Sequence, residues 1–132
     1  MKRYLMAFFT IAMVFWSACT MAADDQAQIC ALTKAFECAN DSGCNEVTID
    51  DMGLPRFVRI DQKAKTIESL DKGVNRQSTK IATITRLEGL TILQGIEKRG
   101  WSIALGDDSR DLMLSAVGEG SGFVVFGSCM KP

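Results

Sequence analysis

Apolar and polar positions alternate in short runs from residue 56 onward, and turn residues separate the runs. A period of two with such punctuation predicts an antiparallel β structure. Arg56 to Asp61 and Lys65 to Leu70, linked by Gln62-Lys63-Ala64, make a first hairpin. After a polar loop, Asp71 to Ser78, comes a second hairpin, in which Thr79 to Leu87 and Leu90 to Glu97 flank Glu88-Gly89. The glycine there supplies the positive φ of a tight turn. Lys98-Arg99-Gly100 turns into Trp101-Ser102-Ile103-Ala104-Leu105, where large side chains alternate with small ones, so one face of this strand belongs to a core. Gly106 to Arg110 leads to Asp111 to Val117, and the glycine-rich Gly118 to Gly122 leads to Phe123 to Ser128. Phe123-Val124-Val125-Phe126 carries bulk on both parities and is expected to be covered on both faces. The reading is an all-β, mainly antiparallel fold: about seven strands in a meander that closes into a small barrel or forms a strongly curved sheet.

Residues 23 to 53 give a mixed signal. Cys30, Leu32, Phe36 and Cys38 share one parity, as a strand requires, yet Ile29, Leu32 and Phe36 also fit a short amphipathic helix. The expectation is a short N-terminal helix or an extended arm held by its cysteines. Asp50-Asp51-Met52-Gly53-Leu54-Pro55 ends it, with Gly and Pro as the breaks.

Ahead of this lies an export signal. Lys2 and Arg3 form a positive start, Tyr4 to Ala18 an apolar stretch, and Thr20-Met21-Ala22 a small-residue site for cleavage before Ala23. The domain assignment is a signal peptide over 1–22 and one small β domain over 23–132. The apolar stretch is short of the roughly 20 residues of a membrane span. Ser17-Ala18-Cys19 resembles the end of a bacterial lipobox, but Trp16 stands where that pattern has Leu. The preferred reading is therefore a periplasmic or secreted protein without a lipid on Cys19, and a lipoprotein is the alternative.

Export decides how the five cysteines count. Cys19 belongs to the leader, which leaves Cys30, Cys38, Cys44 and Cys129, an even number in an oxidising compartment, and predicts two disulfides. Residues 30 to 38 would span about 26 Å as a strand or about 12 Å as a helix, too far for a Cys30–Cys38 bond. The turn-forming Asn40-Asp41-Ser42-Gly43 favours Cys38–Cys44, and Cys30–Cys129 then ties the two ends of the domain. Zinc is set aside because Cys38 and Cys44 are spaced more widely than a knuckle and no second knuckle exists.

Composition narrows the chemistry. The chain has no His, and its only Tyr, Tyr4, falls in the leader, so imidazole mechanisms and imidazole metal ligands are excluded. Without Lys2 and Arg3, 13 basic side chains face 16 acidic ones, and no run of like charge suits nucleic acid or an anionic membrane surface. Ser69-Leu70-Asp71-Lys72 matches S-x-x-K, but the accompanying S-D-N and K-T-G elements are missing, and the match is read as chance. Asp107, Asp108 and Asp111 gather hard oxygen ligands in one turn without EF-hand spacing, and are read as turn formers. Asn40-Asp41-Ser42 fits a glycosylation sequon and is set aside in a chain whose leader looks bacterial. Trp101 is either a core side chain or the aromatic anchor of a binding site; its in-phase neighbours Ile103 and Leu105 favour the core.

Leu54-Pro55-Arg56-Phe57, then Ile92-Leu93-Gln94-Gly95 with Gly100-Trp101-Ser102, and finally Phe123-Val124-Val125-Phe126-Gly127-Ser128-Cys129 together resemble a family of small uncharacterised exported proteins of proteobacteria. The resemblance covers most of residues 23–132 and implies fold and compartment, with no activity to carry over.

These features together point to a binding protein rather than an enzyme, with no catalytic residues, metal or cofactor assigned. One candidate partner is a protein of the cell envelope, as for the lysozyme-inhibitor barrels, which the chain resembles in size, export and cysteine tether. The other is a small apolar ligand held inside a lipocalin-like barrel. A narrow barrel filled by Trp101, Ile103, Phe123 and Phe126 tilts the choice towards the protein partner. A carboxylate enzyme using Glu88, Glu97 and Asp111 is the remaining alternative.

Overall fold

The computed structural model describes residues 27–72 and 78–130. The leader, with Cys19, and most of the polar loop before Ser78 lie outside the described residues. The strands, in chain order, are β1 (Gln28–Ala39), β2 (Gly43–Val47), β3 (Phe57–Asp61), β4 (Thr66–Ser69), β5 (Ser78–Lys80), β6 (Thr83–Leu87), β7 (Leu90–Gly95), β8 (Gly100–Gly106), β9 (Asp111–Val117) and β10 (Ser121–Cys129). They form one antiparallel sheet in the order β5-β4-β3-β1-β10-β9-β8-β7-β6, with β2 paired to β1 off this path. All-β, antiparallel and strongly curled, the fold is the one the alternation predicts. Among the described residues no helix is long and apolar enough to cross a membrane.

Residues 28–39 are neither a helix nor a peripheral arm. They form the longest strand, β1, at the middle of the sheet. One edge of β1 pairs with β10 along its length; the other is shared by β3 against residues 28–31 and β2 against residues 35–39. The helix-like pattern has a specific cause. A bulge between Leu32 and Lys34 shifts the register, so Cys30 and Leu32 are buried on one side of it and Ala35 on the other, while Phe36 and Cys38 fall on the outer face. Bulge and strand together mimic a period between two and four.

The predicted strand Thr79 to Leu87 is split into β5 and β6, the two ends of the sheet path. Between them, the Ile81 amide donates to Lys65 O at 2.9 Å and the Ala82 amide to Gln94 O at 2.8 Å. Two residues thus carry the chain from the β4 edge to the β7 edge. The curl brings these ends close enough for Arg86 Nη2 on β6 to donate to Gln62 Oε1 beyond β3, at 3.1 Å.

Burial matches the predicted phase on β8, where Ile103 and Leu105 are buried and Trp101 packs partly against the core. Cross-strand register sorts the interior into layers. Leu93, Ile103, Leu114, Val125 and Ala35 form one; nearer the open end, Gly95, Trp101, Ala116, Phe123 and Glu37 form the next. The expectation for β10 needs correction. Phe123 and Val125 face inward, but Phe126 lies outside, 40% exposed, with its ring edge-on to Phe36 at a centroid distance of 6.2 Å. A single curled sheet has no second layer, so outward bulk is covered only by its cross-strand neighbours.

Both disulfides form as expected, Cys30–Cys129 and Cys38–Cys44. Each joins residues directly opposite in register, one in the β1–β10 pair and one in the β1–β2 hairpin. Two such bonds mark an oxidising, extracytoplasmic setting.

Candidate ligand cavity

Layering leaves space at one end of the curl. In the layer of Gly95, Trp101, Ala116 and Phe123, small residues alternate with aromatic ones; the Trp101 ring takes the space over Gly95, and the wall is thin at Ala116. The result is a cavity of about 540 Å³ with Ile103 and Leu112 deep in its wall and Leu32, Val58, Ile67 and Phe123 around it. Its walls come from β1 to β5 and from β8, β9 and β10.

The connection from β2 to β3 roofs part of this space with Met52, Leu54 and Pro55. It is folded on itself by backbone bonds from Met52 to Thr48, Gly53 to Asp50 and Leu54 to Ile49, with Gly53 at φ +64°. Thr48 Oγ1 donates to Asp51 Oδ2 at 2.6 Å and accepts the Asp51 amide at 3.0 Å. Ile49 anchors the loop in the core. Arg56 clamps its start by donating Nε to Asp50 Oδ1 at 3.1 Å and Nη2 to the other carboxylate oxygen. The hydrogen bond from Arg56, with its charge, holds the Asp50 carboxyl below the usual carboxylate range and raises the guanidinium in return. The Asp71 carboxylate accepts the amides of Arg56 and Phe57 at 2.6 and 3.2 Å and pins the entry to β3.

At the mouth stand charges of both signs. Glu97 accepts the Lys80 amide at 3.0 Å, and the Arg99 guanidinium lies over the Phe123 ring at 6.0 Å from its centroid. Glu37 and Lys98 complete the rim.

Trp101 is a wall residue, and this joins the two readings the sequence left competing. Its indole lies across Gly95, the opposite residue on β7: a Cβ built on Gly95 would sit 2.2 Å from Trp101 Cζ2. The indole Nε1–H is buried and meets no acceptor.

The remaining sequence candidates are dispersed. Ser69 is buried and faces the cavity, whereas Lys72 is exposed, and no hydrogen bond joins them. Glu97 rims the large cavity, Asp111 lines a separate one of about 350 Å³ at the opposite end, and Glu88 is exposed in the β6–β7 turn. Asp107 accepts from Thr91 Oγ1 at 3.1 Å, and among the described residues no three His, Cys, Asp or Glu side chains gather as a metal site. Asn40 is exposed at the β1–β2 turn. Sequence reasoning missed Gly95, the cavity-facing side of Ser69 and the folded loop over 48–56. The available signal for the first was a glycine ending an alternating strand one short turn before a lone tryptophan.

No protein-family model, curated protein or solved structure matches the chain.

Proposed function

We propose that this is an exported, non-catalytic binding protein that holds a small apolar ligand in the open end of its curled sheet. One observation carries the reading: a preformed, apolar-walled cavity of about 540 Å³ with a polar rim. Ligand sites typically occupy about 300–1,000 Å³ and combine such walls with a few polar groups. With Phe126 outside, the interior lacks one of the side chains expected to fill it, and this reverses the preference for a protein partner. The compartment we assign is the periplasm, after removal of 1–22.

Native mass spectrometry of the protein recovered from the periplasm tests this. The expected result is a low-mass species that dissociates on activation and is absent from Ala116→Phe, in which a ring between Trp101 and Phe123 fills the cavity. A bare polypeptide mass, together with failure of apolar probes to bind, would sink the reading.

A protein partner in the cell envelope keeps one observation in its favour. The outer face carries Phe126 and Met113, 40% and 45% exposed and paired in register. Phe126→Ser would abolish that interaction and leave cavity occupancy intact; Ala116→Phe would do the reverse.

A further inference from the structure

Two side chains that line the cavity, Trp101 and Ser69, carry hydrogen-bond donors that meet no acceptor among the described residues. Trp101 Nε1 is the one buried side-chain nitrogen or oxygen that lacks a partner among the described residues. Ser69, 6% exposed and lining the same cavity from β4, accepts the Asp71 amide at 3.4 Å and keeps its hydroxyl proton for an acceptor. The carboxylates near the cavity offer no acceptor inside it, because Glu37 and Glu97 stand at the rim and Asp51 is turned to Thr48. Backbone carbonyls of the surrounding strands are committed to the ladders. Buried polar groups in folded proteins nearly always have partners, and an orphan calls for an explanation.

The geometry points to a ligand that supplies the missing acceptor: an apolar molecule carrying a carbonyl-type oxygen, received by Trp101 Nε1–H, with Ser69 as a second donor. This deepens the proposed function and rests on it. The Nε1 edge of the indole lies against Gly95 and is closed off from the cavity, so the ring must tilt off Gly95 to deliver the N–H to the occupant. A purely hydrocarbon ligand leaves both donors unpaired. Leaving a donor or acceptor unpaired in an apolar site penalises the wrong occupant more than an added methylene rewards the right one.

Acetophenone and ethylbenzene, which differ by a carbonyl against a methylene, separate these possibilities. In the ¹H–¹⁵N spectrum the Trp101 indole resonance is identified by its loss in Trp101→Phe. The expected result is that both probes bind, that acetophenone alone moves this resonance downfield, and that Trp101→Phe weakens acetophenone about tenfold while leaving ethylbenzene within about twofold. Binding of acetophenone with the resonance unmoved, or equal weakening of both probes, overturns the carbonyl assignment and leaves the cavity reading standing. Failure of both probes at millimolar concentration overturns the cavity reading itself. If Trp101→Phe does not fold, the indole shift in the parent protein decides alone, because Trp101 is the one tryptophan outside residues 1–22 and its indole resonance needs no variant to assign it.

Discussion

At the scale of single residues, Gly95 and Trp101 act as one unit, since the space of a missing side chain on β7 is the seat of the ring on β8. An alanine at 95 would place its Cβ 2.2 Å from Cζ2 and drive the indole into the cavity. We expect Gly95→Ala to cost about 1–3 kcal/mol, as overpacking does, read from urea titration with the disulfides intact. Trp101→Ala should fall near the lower end of the roughly 3–5 kcal/mol of a buried Trp, because the ring is only partly buried. Trp101 was legible as an inward side chain from its alternation with Ile103 and Leu105. Gly95 was not, because a glycine in a strand says only that a side chain is missing; the partner that uses the gap is set by cross-strand register. The Asp50–Arg56 clamp adds a prediction in pH. The folded pKa of Asp50 lies below its ordinary 3.8, so the clamp contributes order above that value and loses it as pH falls through the lowered one. The protection factors of the Gly53 and Leu54 amides, with intrinsic exchange rates divided out, should fall on acidification through that window, and Asp50→Asn should show low protection at every pH.

The strands and their links behave as units of unequal rigidity. Gly127 lies beside the β1 bulge, where an added Cβ would come 2.3 Å from Ala31 O, a backbone atom with no rotamer to yield. Gly127→Ala should therefore cost more than Gly95→Ala, over about 3 kcal/mol, and a chemical melt comparing the two would show whether the bulge is the stiffer part. The two disulfides differ in shelter. Cys30 and Cys129 are buried, whereas Cys44 is exposed at the hairpin. Titration with a mild reductant under native conditions should open Cys38–Cys44 first, with peptide mapping locating the freed thiols. Its loss should be tolerated, since a separation of 6 residues constrains the unfolded chain less than the separation of 99 closed by Cys30–Cys129. The hairpins were readable because alternation and turn residues coincide there. β1 was not, because the bulge at Thr33 exchanges inward and outward positions partway along, and the β5–β6 bend passes through Ile81 and Ala82, which carry no turn signal.

For the whole molecule, the lack of any imidazole was legible from composition, while the space inside it was not. Whether a curled sheet is packed solid depends on which side of one strand Phe126 takes, a choice made by the bulge and register of its neighbour β1. The layer in which glycine and alanine alternate with Trp101 and Phe123 is likewise visible only after four strands are aligned. The alignment also fixes a polarity. Strands β8 and β10 run between the two ends of the curl, from Trp101 and Phe123 at the large opening to Gly106 and Cys129 at the small cavity, where Gln28 and Met130 also lie. The start of β1 and the residue after β10 are thus at the foot, and the mouth faces the other way. A cup held by its foot can be tethered, fused or anchored there without obstructing what it receives. Attachment through a tag after residue 130 should leave probe uptake as it is in solution, whereas the same bulk inserted between Lys98 and Arg99 should shut the mouth.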